Sequence, residues 1–93
     1  MPLITFAGAT TDATGNVTLL SIGGPDHFSF SKKYTNDFSE PLNLDTGGVY
    51  FISVSVFTDG DFTFDVQGKF TSITPKVPDD YNGKKKEVYT LTI

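Results

Sequence analysis

The chain has 93 residues, no cysteine and no arginine, and a formal net charge of −4. This length predicts one domain over residues 1–93, which buries roughly 60–70% of its unfolded surface and folds without disulfides or a metal. An acidic chain without arginine argues against nucleic acid as a partner, and thiol chemistry is excluded. No apolar stretch approaches the ~20 residues of a membrane span, so membrane insertion is not expected. No signal peptide is visible, so the compartment stays open.

Composition favours strands over helices, with nine phenylalanines and four tyrosines among the aromatic residues. In chain order, residues 3–7 predict a first strand, and Thr, Asp, Gly and Asn at 11–16 predict a turn. A second strand follows at 17–22. Gly-Gly-Pro-Asp at 23–26 breaks the chain, and alternation over 27–31 predicts a third strand that begins at His27.

The polar stretch 32–41 is interpreted as a surface loop, and 42–44 as a short strand. The alternating runs 49–58 and 61–67 predict the two strands of a β-hairpin. A three-residue loop at 58–60 pairs Val56 with Phe62, Val54 with Phe64 and Ile52 with Val66, and it keeps the carboxylate of Asp65 out of the core. The inward faces are then Tyr50, Ile52, Val54 and Val56 with Phe62, Phe64 and Val66.

After this hairpin, Gly68-Lys69 predicts a type II′ turn that places Phe64 opposite Ile73 and forms an outer row of Phe51, Gln67 and Phe70. Two prolines bracket an irregular segment that runs to residue 83, and 88–93 predict the last strand. Seven to eight short strands separated by turn signals are typical of an all-β antiparallel β-sandwich, immunoglobulin-like or prealbumin-like, without substantial helix.

Two segments carry a resemblance to known families. Residues 10–19, Thr-Thr-Asp-Ala-Thr-Gly-Asn-Val-Thr-Leu, and 42–50, Leu-Asn-Leu-Asp-Thr-Gly-Gly-Val-Tyr, resemble phrases of bacterial immunoglobulin-like and carboxypeptidase-regulatory-like sandwich domains. Residues 48–57 resemble a segment of the trimeric jelly-roll heads of complement and spore-surface proteins. These resemblances imply a sandwich and name no function.

No catalytic constellation is evident, because His27 is the only histidine and the serines lack a second base. We expect no enzyme activity and no cofactor; a small hydrolase is the minor alternative. Asp59, Asp61 and Asp65 offer oxygen ligands that Ca²⁺ accepts, although aspartate is also a common turn residue. The main alternative to an interaction module is a carbohydrate or Ca²⁺ binder that uses loops 32–41 and 76–83, with Tyr34, Asp37 and Tyr81 as the ligand-facing residues.

Three phenylalanines suggest a different function. Phe51, Phe57 and Phe70 share the otherwise polar outer face in the predicted register, where they form either satellite core under a loop or an exposed interaction patch. The lysines at 84–86 are interpreted as a charged flank that protects a strand edge, with anion binding as the alternative. We expect a non-catalytic module for protein interaction, self-association or scaffolding, on an extracellular, cell-surface or particle-surface protein.

Overall fold

The computed structural model describes residues 3–10, 17–45, 47–58, 60–82 and 85–93. In these residues the regular elements are nine β-strands and no helix, so no helix that could cross a membrane is found there. The sequence predicts seven to eight strands, and the described residues contain nine, because the segments interpreted as loops also contain strands. The strands are β1 Leu3–Thr10, β2 Val17–Gly23, β3 Ser29–Tyr34, β4 Phe38–Asn43, β5 Val49–Phe57, β6 Asp61–Gln67, β7 Ser72–Thr74, β8 Asp79–Asn82 and β9 Lys85–Thr92.

These strands form two antiparallel sheets that pack face to face. The four-stranded sheet has the order β4-β1-β6-β8, and the five-stranded sheet has the order β3-β2-β5-β9-β7. Every pairing between neighbouring strands is antiparallel. The predicted antiparallel β-sandwich is therefore confirmed.

The core lies between the inner faces of the two sheets and is built by strict alternation of side chains. On β5 the buried and outward positions alternate from Val49 to Phe57, and β6 alternates in the same way. The inward faces predicted for both strands are confirmed. The buried apolar side chains form one cluster: Ile4, Phe6, Leu20, Ile22, Leu44, Tyr50, Ile52, Val54, Val56, Phe62, Phe64, Val66, Tyr81, Tyr89, Leu91 and Ile93.

The predicted hairpin between β5 and β6 is wrong. β5 pairs with β2 and β9, whereas β6 pairs with β1 and β8 in the other sheet. The chain crosses the sandwich between these strands, so their apolar faces meet across the core instead of lying side by side. The predicted pairs of Val56 with Phe62 and Val54 with Phe64 therefore do not exist. Asp59, in the loop proposed for that hairpin, lies outside the described residues.

The second predicted hairpin, at Gly68-Lys69, is wrong for the same reason, because β6 and β7 belong to different sheets. Ile73 pairs with Leu91, not with Phe64. Gly68 does have the positive φ that a glycine turn requires, at +137°. Its Cα also lies against the backbone of β1, where a Cβ would come within 2.6 Å of the Leu3 carbonyl oxygen. Glycine is thus required at this crossing between sheets.

One pair of described consecutive strands does form a hairpin, namely β2 and β3. Its turn contains Asp26 at φ 56° and His27 at φ 63°, and the Phe28 N–H donates to the Pro25 carbonyl at 3.1 Å. Two positive φ angles inside this hydrogen bond correspond to a type I′ turn, the type that matches the twist of the flanking strands. His27 is therefore an exposed turn residue and does not begin β3, as the sequence predicted.

Candidate functional site

The large apolar side chains that remain exposed are concentrated on one surface, the outer face of the five-stranded sheet. The exposed fractions are 57% for Phe51, 51% for Val88, 50% for Phe57, 43% for Leu19 and 42% for Val49. All five occupy outward positions of β2, β5 and β9, the three adjacent central strands of this sheet. We call this surface the apolar face. A sixth exposed apolar residue, Leu3, lies on β1 in the other sheet.

The register shows how the apolar face is arranged. Val88 lies opposite Ser53 on β5 and is therefore a diagonal neighbour of Phe51. Leu19 lies opposite Ser55 and is a diagonal neighbour of Phe57. Diagonal neighbours in a sheet are about 7–8 Å apart, within reach of aromatic side chains. Two apolar groups are thus separated by the small side chains of Ser53 and Ser55. The surface between the two groups therefore projects less than the rings on either side.

The outward phenylalanine at position 51 is not needed to cover the residue opposite it on β2. That neighbour is Gly23, and a Cβ built there would have no atom within 4 Å. The Phe51 ring therefore stands in solvent without packing over the glycine. This open position also means that a side chain can be added at Gly23 without disturbing the core.

Charge separates the two outer surfaces of the sandwich. Among the described strand residues, the apolar face carries Lys33 and Lys86 in one row across the sheet, and no carboxylate. The outer face of the four-stranded sheet carries Asp61, Asp65 and Asp80, and its described strands present no lysine there. We call this second surface the acidic face.

Two aspartates of the acidic face are held in place by local hydrogen bonds. Asp65 accepts a hydrogen bond from the Val66 N–H at 2.8 Å and from the Gln67 side chain at 3.0 Å. Thr63 donates its hydroxyl to Asp80 at 2.9 Å. The carboxylates therefore lie along the sheet in fixed positions and do not extend freely into solvent.

The three predicted patch residues do not form one surface. Phe51 and Phe57 share the apolar face, whereas Phe70 follows β6 and is half-buried against the core cluster. Gln67 is an outward residue of the four-stranded sheet. The predicted row of Phe51, Gln67 and Phe70 is wrong, because it depended on the hairpin that the structure does not contain.

The region 32–41, interpreted as a loop, contains the end of β3, a short connection and the first four residues of β4. Tyr34 stacks on Phe38 with ring centroids 4.0 Å apart, and its hydroxyl donates to Glu40 at 2.6 Å. This hydrogen bond lowers the pKa of Glu40, while burial raises the pKa of Tyr34. Tyr34 thus joins the edge strands of the two sheets. Asp37 is exposed in the turn and accepts a hydrogen bond from the Thr10 N–H at 2.9 Å.

Tyr81, expected in an exposed loop, is a buried residue of β8 with 1% of its surface accessible. Its hydroxyl lies 2.7 Å from that of Tyr89, which donates to Asp79 at 2.6 Å. Burial raises the pKa of both tyrosines. This chain connects β8 with β9 and joins the sheets at the side opposite Tyr34. Neither Tyr34 nor Tyr81 offers a free ring to a ligand.

The calcium candidates are also dispersed. Asp61 and Asp65 both point outward from β6, and four residues of extended strand place their Cα atoms about 13 Å apart. Ca²⁺ binds oxygens at about 2.3–2.6 Å, so these two side chains cannot share an ion. No group of three or more potential ligands occurs among the described residues.

Several residues of the apolar face were not predicted from the sequence. Leu19, Val49 and Val88 are each flanked by an inward residue, so alternation alone would place them outside. The shared location of Lys33 and Lys86 could not be found in this way, because it depends on β3 and β9 belonging to one sheet. Lys84, the first of the three predicted edge lysines, lies outside the described residues.

Comparison with protein-family models, with curated proteins and with solved structures gives no match to this chain. Its function is therefore inferred from the two outer surfaces of the sandwich.

Proposed function

We propose that this protein is a non-catalytic β-sandwich module that binds another protein surface through its apolar face. The observation that supports this most strongly is the clustering of five exposed apolar side chains on three adjacent strands. Single exposed apolar residues are normal on soluble domains, whereas contiguous patches usually mark interaction sites. The sandwich presents the patch on a rigid sheet, so binding requires little ordering.

The composition of the face also favours a protein partner. Protein interfaces are enriched in aromatic residues and depleted of charged residues, including lysine, at their centres. Lys33 and Lys86 lie on β3 and β9, to either side of the strand that carries the rings. Phe51 and Phe57 supply two rings, and the described strands place no carboxylate on this face. Covering the exposed half of each ring removes about 100 Å² from water, on the order of 2.5 kcal/mol per ring. These rings are the expected centres of the binding energy.

The alternative explanation, that the rings are satellite core, has less support. Both phenylalanines keep half or more of their surface accessible, at 57% and 50%. The residues opposite them on neighbouring strands include Gly23, Thr90 and Val17, which are too small to cover them. The faces of these two rings are therefore available to a partner.

Site-specific photocrosslinking tests this proposal. A benzophenone amino acid replaces Phe51 in the cells that make the protein, and a matched variant carries it at Lys76, an exposed residue in the connection between β7 and β8. We expect a discrete crosslinked protein at position 51, lost when Gly23→Arg adds a charged side chain beside it. If position 51 gives no crosslinked protein, the proposed function is wrong.

A further inference from the structure

We propose that the partner of the apolar face is the acidic face of a second copy of this chain, so that the sandwiches stack head to tail. This inference deepens the proposed function and rests on it. Charge and the position of the two faces on opposite sides of the sandwich support this pairing.

Charge complementarity distinguishes this pairing from a symmetric one. Two apolar faces would bring lysines together, and two acidic faces would bring carboxylates together. When the apolar face of one copy lies on the acidic face of another, Lys33 and Lys86 lie opposite Asp61 and Asp65. Opposed charges of this kind set orientation and suppress the wrong arrangement. This contact is also the one that overcomes the repulsion expected between chains of net charge −4.

Spacing of these charges specifies an orientation. Lys33 and Lys86 lie on β3 and β9, three strand positions apart, which corresponds to about 14 Å across the sheet. Asp61 and Asp65 lie about 13 Å apart along β6. The separations match when the strands of the two stacked sheets cross at about a right angle, one of the two arrangements that sheets adopt when they pack. Each lysine then meets one carboxylate.

The relief of the two faces is complementary at one of the two rings. Phe51, Phe57 and Val88 project from the apolar face. On the acidic face the outward residues of the central strand β1 include Ala7 and Ala9, with Ser39 and Thr63 beside them. Small side chains in the middle of a sheet leave room for one projecting ring. Phe51 and Phe57 are about 20 Å apart along β5, whereas the four strands that β5 crosses span about 14 Å, so the second ring lies at the edge of the acidic face. The acidic face also has its own apolar residue, Leu3, which is 55% exposed.

The area corresponds to a weak, reversible contact. The two longer dimensions of the molecule are 39 and 22 Å, so faces that cross at a right angle overlap over an area on the order of 500 Å² on each copy. A standard protein interface buries about 800 Å² on each partner. The two faces lie on opposite sides of the sandwich, so each copy offers one of each. A head-to-tail contact does not close on itself and continues as a linear stack.

Charge reversal on one face at a time tests this inference. Lys33→Glu/Lys86→Glu gives a chain with two acidic faces. Asp61→Lys/Asp65→Lys gives a chain in which the former acidic face carries two lysines and keeps only Asp80 as a carboxylate. We expect the weight-average mass of the wild type, measured by sedimentation, to rise with concentration at low salt and to fall when salt is added. Each variant alone should associate at least about tenfold more weakly, because like charges then oppose one another.

An equimolar mixture of the two variants is the decisive sample, because each acidic face can again meet a basic one. We expect the mixture to recover association near the wild-type level. Lys69→Glu/Lys76→Glu, which makes the same charge change in connections between strands, should behave as the wild type. Circular dichroism melts establish that each variant is folded. A further variant, Asp61→Asn/Asp65→Asn, removes the two negative charges while keeping hydrogen-bond acceptors at both positions.

Three results would overturn head-to-tail stacking: a wild type that is monomeric at every concentration, a basic variant that still associates by itself, or a mixture that recovers nothing. These results are distinguishable from failure of the proposed function. A monomer that is nevertheless crosslinked at position 51 to a different protein retains the binding face and has another partner.

Discussion

The buried hydrogen-bonded chain Tyr81–Tyr89–Asp79 allows a quantitative test of how the sandwich is held together at one side. Tyr89 has one hydroxyl proton, which it donates to the acceptor-only carboxylate of Asp79 at 2.6 Å. Tyr81 must therefore donate to the Tyr89 oxygen, 2.7 Å away. Removing the middle hydroxyl should have a larger effect than removing the outer one.

The expected magnitudes follow from this order. Tyr81→Phe removes one neutral hydrogen bond, which corresponds to about 1 kcal/mol of stability. Tyr89→Phe removes a bond to a charged group and leaves the buried Tyr81 hydroxyl without its acceptor, about 3 kcal/mol together. In the double variant no orphaned hydroxyl remains, and Asp79 is half-buried, so the loss returns to about 2 kcal/mol. The double variant should therefore be more stable than Tyr89→Phe.

Urea denaturation of the wild type, both single variants and the double variant gives a double-mutant cycle. The comparison requires that the free energy of unfolding depends on urea concentration with the same slope in all four proteins. A difference of 1 kcal/mol corresponds to about 4–8 °C in Tm for a domain of this size, so thermal melts give a second measurement. If the two single losses add in the double variant, Tyr81 does not donate to Tyr89 and the donor order is wrong.

Three further changes have expected outcomes. Gly8→Ala should lower the free energy of unfolding by about 1–3 kcal/mol in urea denaturation, because the added methyl group overlaps the Phe38 ring. Asp26→Asn/His27→Gly should raise the Tm by a few degrees, about 0.5–1 kcal/mol, because Asn-Gly suits two positive φ angles; an unchanged or lower Tm would contradict the turn assignment. Stability should begin to fall at about pH 9–10 and should continue to fall above pH 11, because the three tyrosines with raised pKa values keep their protons when folded, whereas in the unfolded chain they ionise with a pKa of about 10; phenolate absorbance from more than one tyrosine well before unfolding would contradict it.

Alternation predicted the core faces correctly because it is a local property of an extended strand. From Tyr50 to Val56 every second side chain is apolar and buried, and the same holds from Phe62 to Val66. A side chain on a strand points to one of two faces, so seven residues suffice to identify the inner one. The prediction needed no knowledge of which strands are neighbours.

Strand pairing could not be predicted in the same way. Two consecutive strands bury the same residues whether they pair in one sheet or face each other from two sheets. The Asp-Gly signal at 59–60 favours a reversal of direction, which both arrangements require. What decides between them is that β5 binds β2 on one side and β9 on the other, contacts with residues far away in sequence.

The candidate site was predicted in part for related reasons. Phe51 and Phe57 were placed outside by alternation, and the structure agrees. Tyr81 was expected to be exposed because its neighbours are polar, yet β8 has only four residues and its alternation is too short to recognise. The opposite charges of the two outer faces depend on the sheet order, so they became visible only in the fold.

The exposed rings are proposed to serve binding and not folding, and the stability of Phe51→Thr/Phe57→Thr is the sharpest test of that role. Threonine suits strands, and urea denaturation should give a free energy of unfolding within about 0.5 kcal/mol of the wild type. The matched change Phe64→Thr, at a fully buried ring, should cost about 3–5 kcal/mol. A loss of about 2 kcal/mol or more from the two outer substitutions would show that these rings belong to the core and would contradict a role in binding.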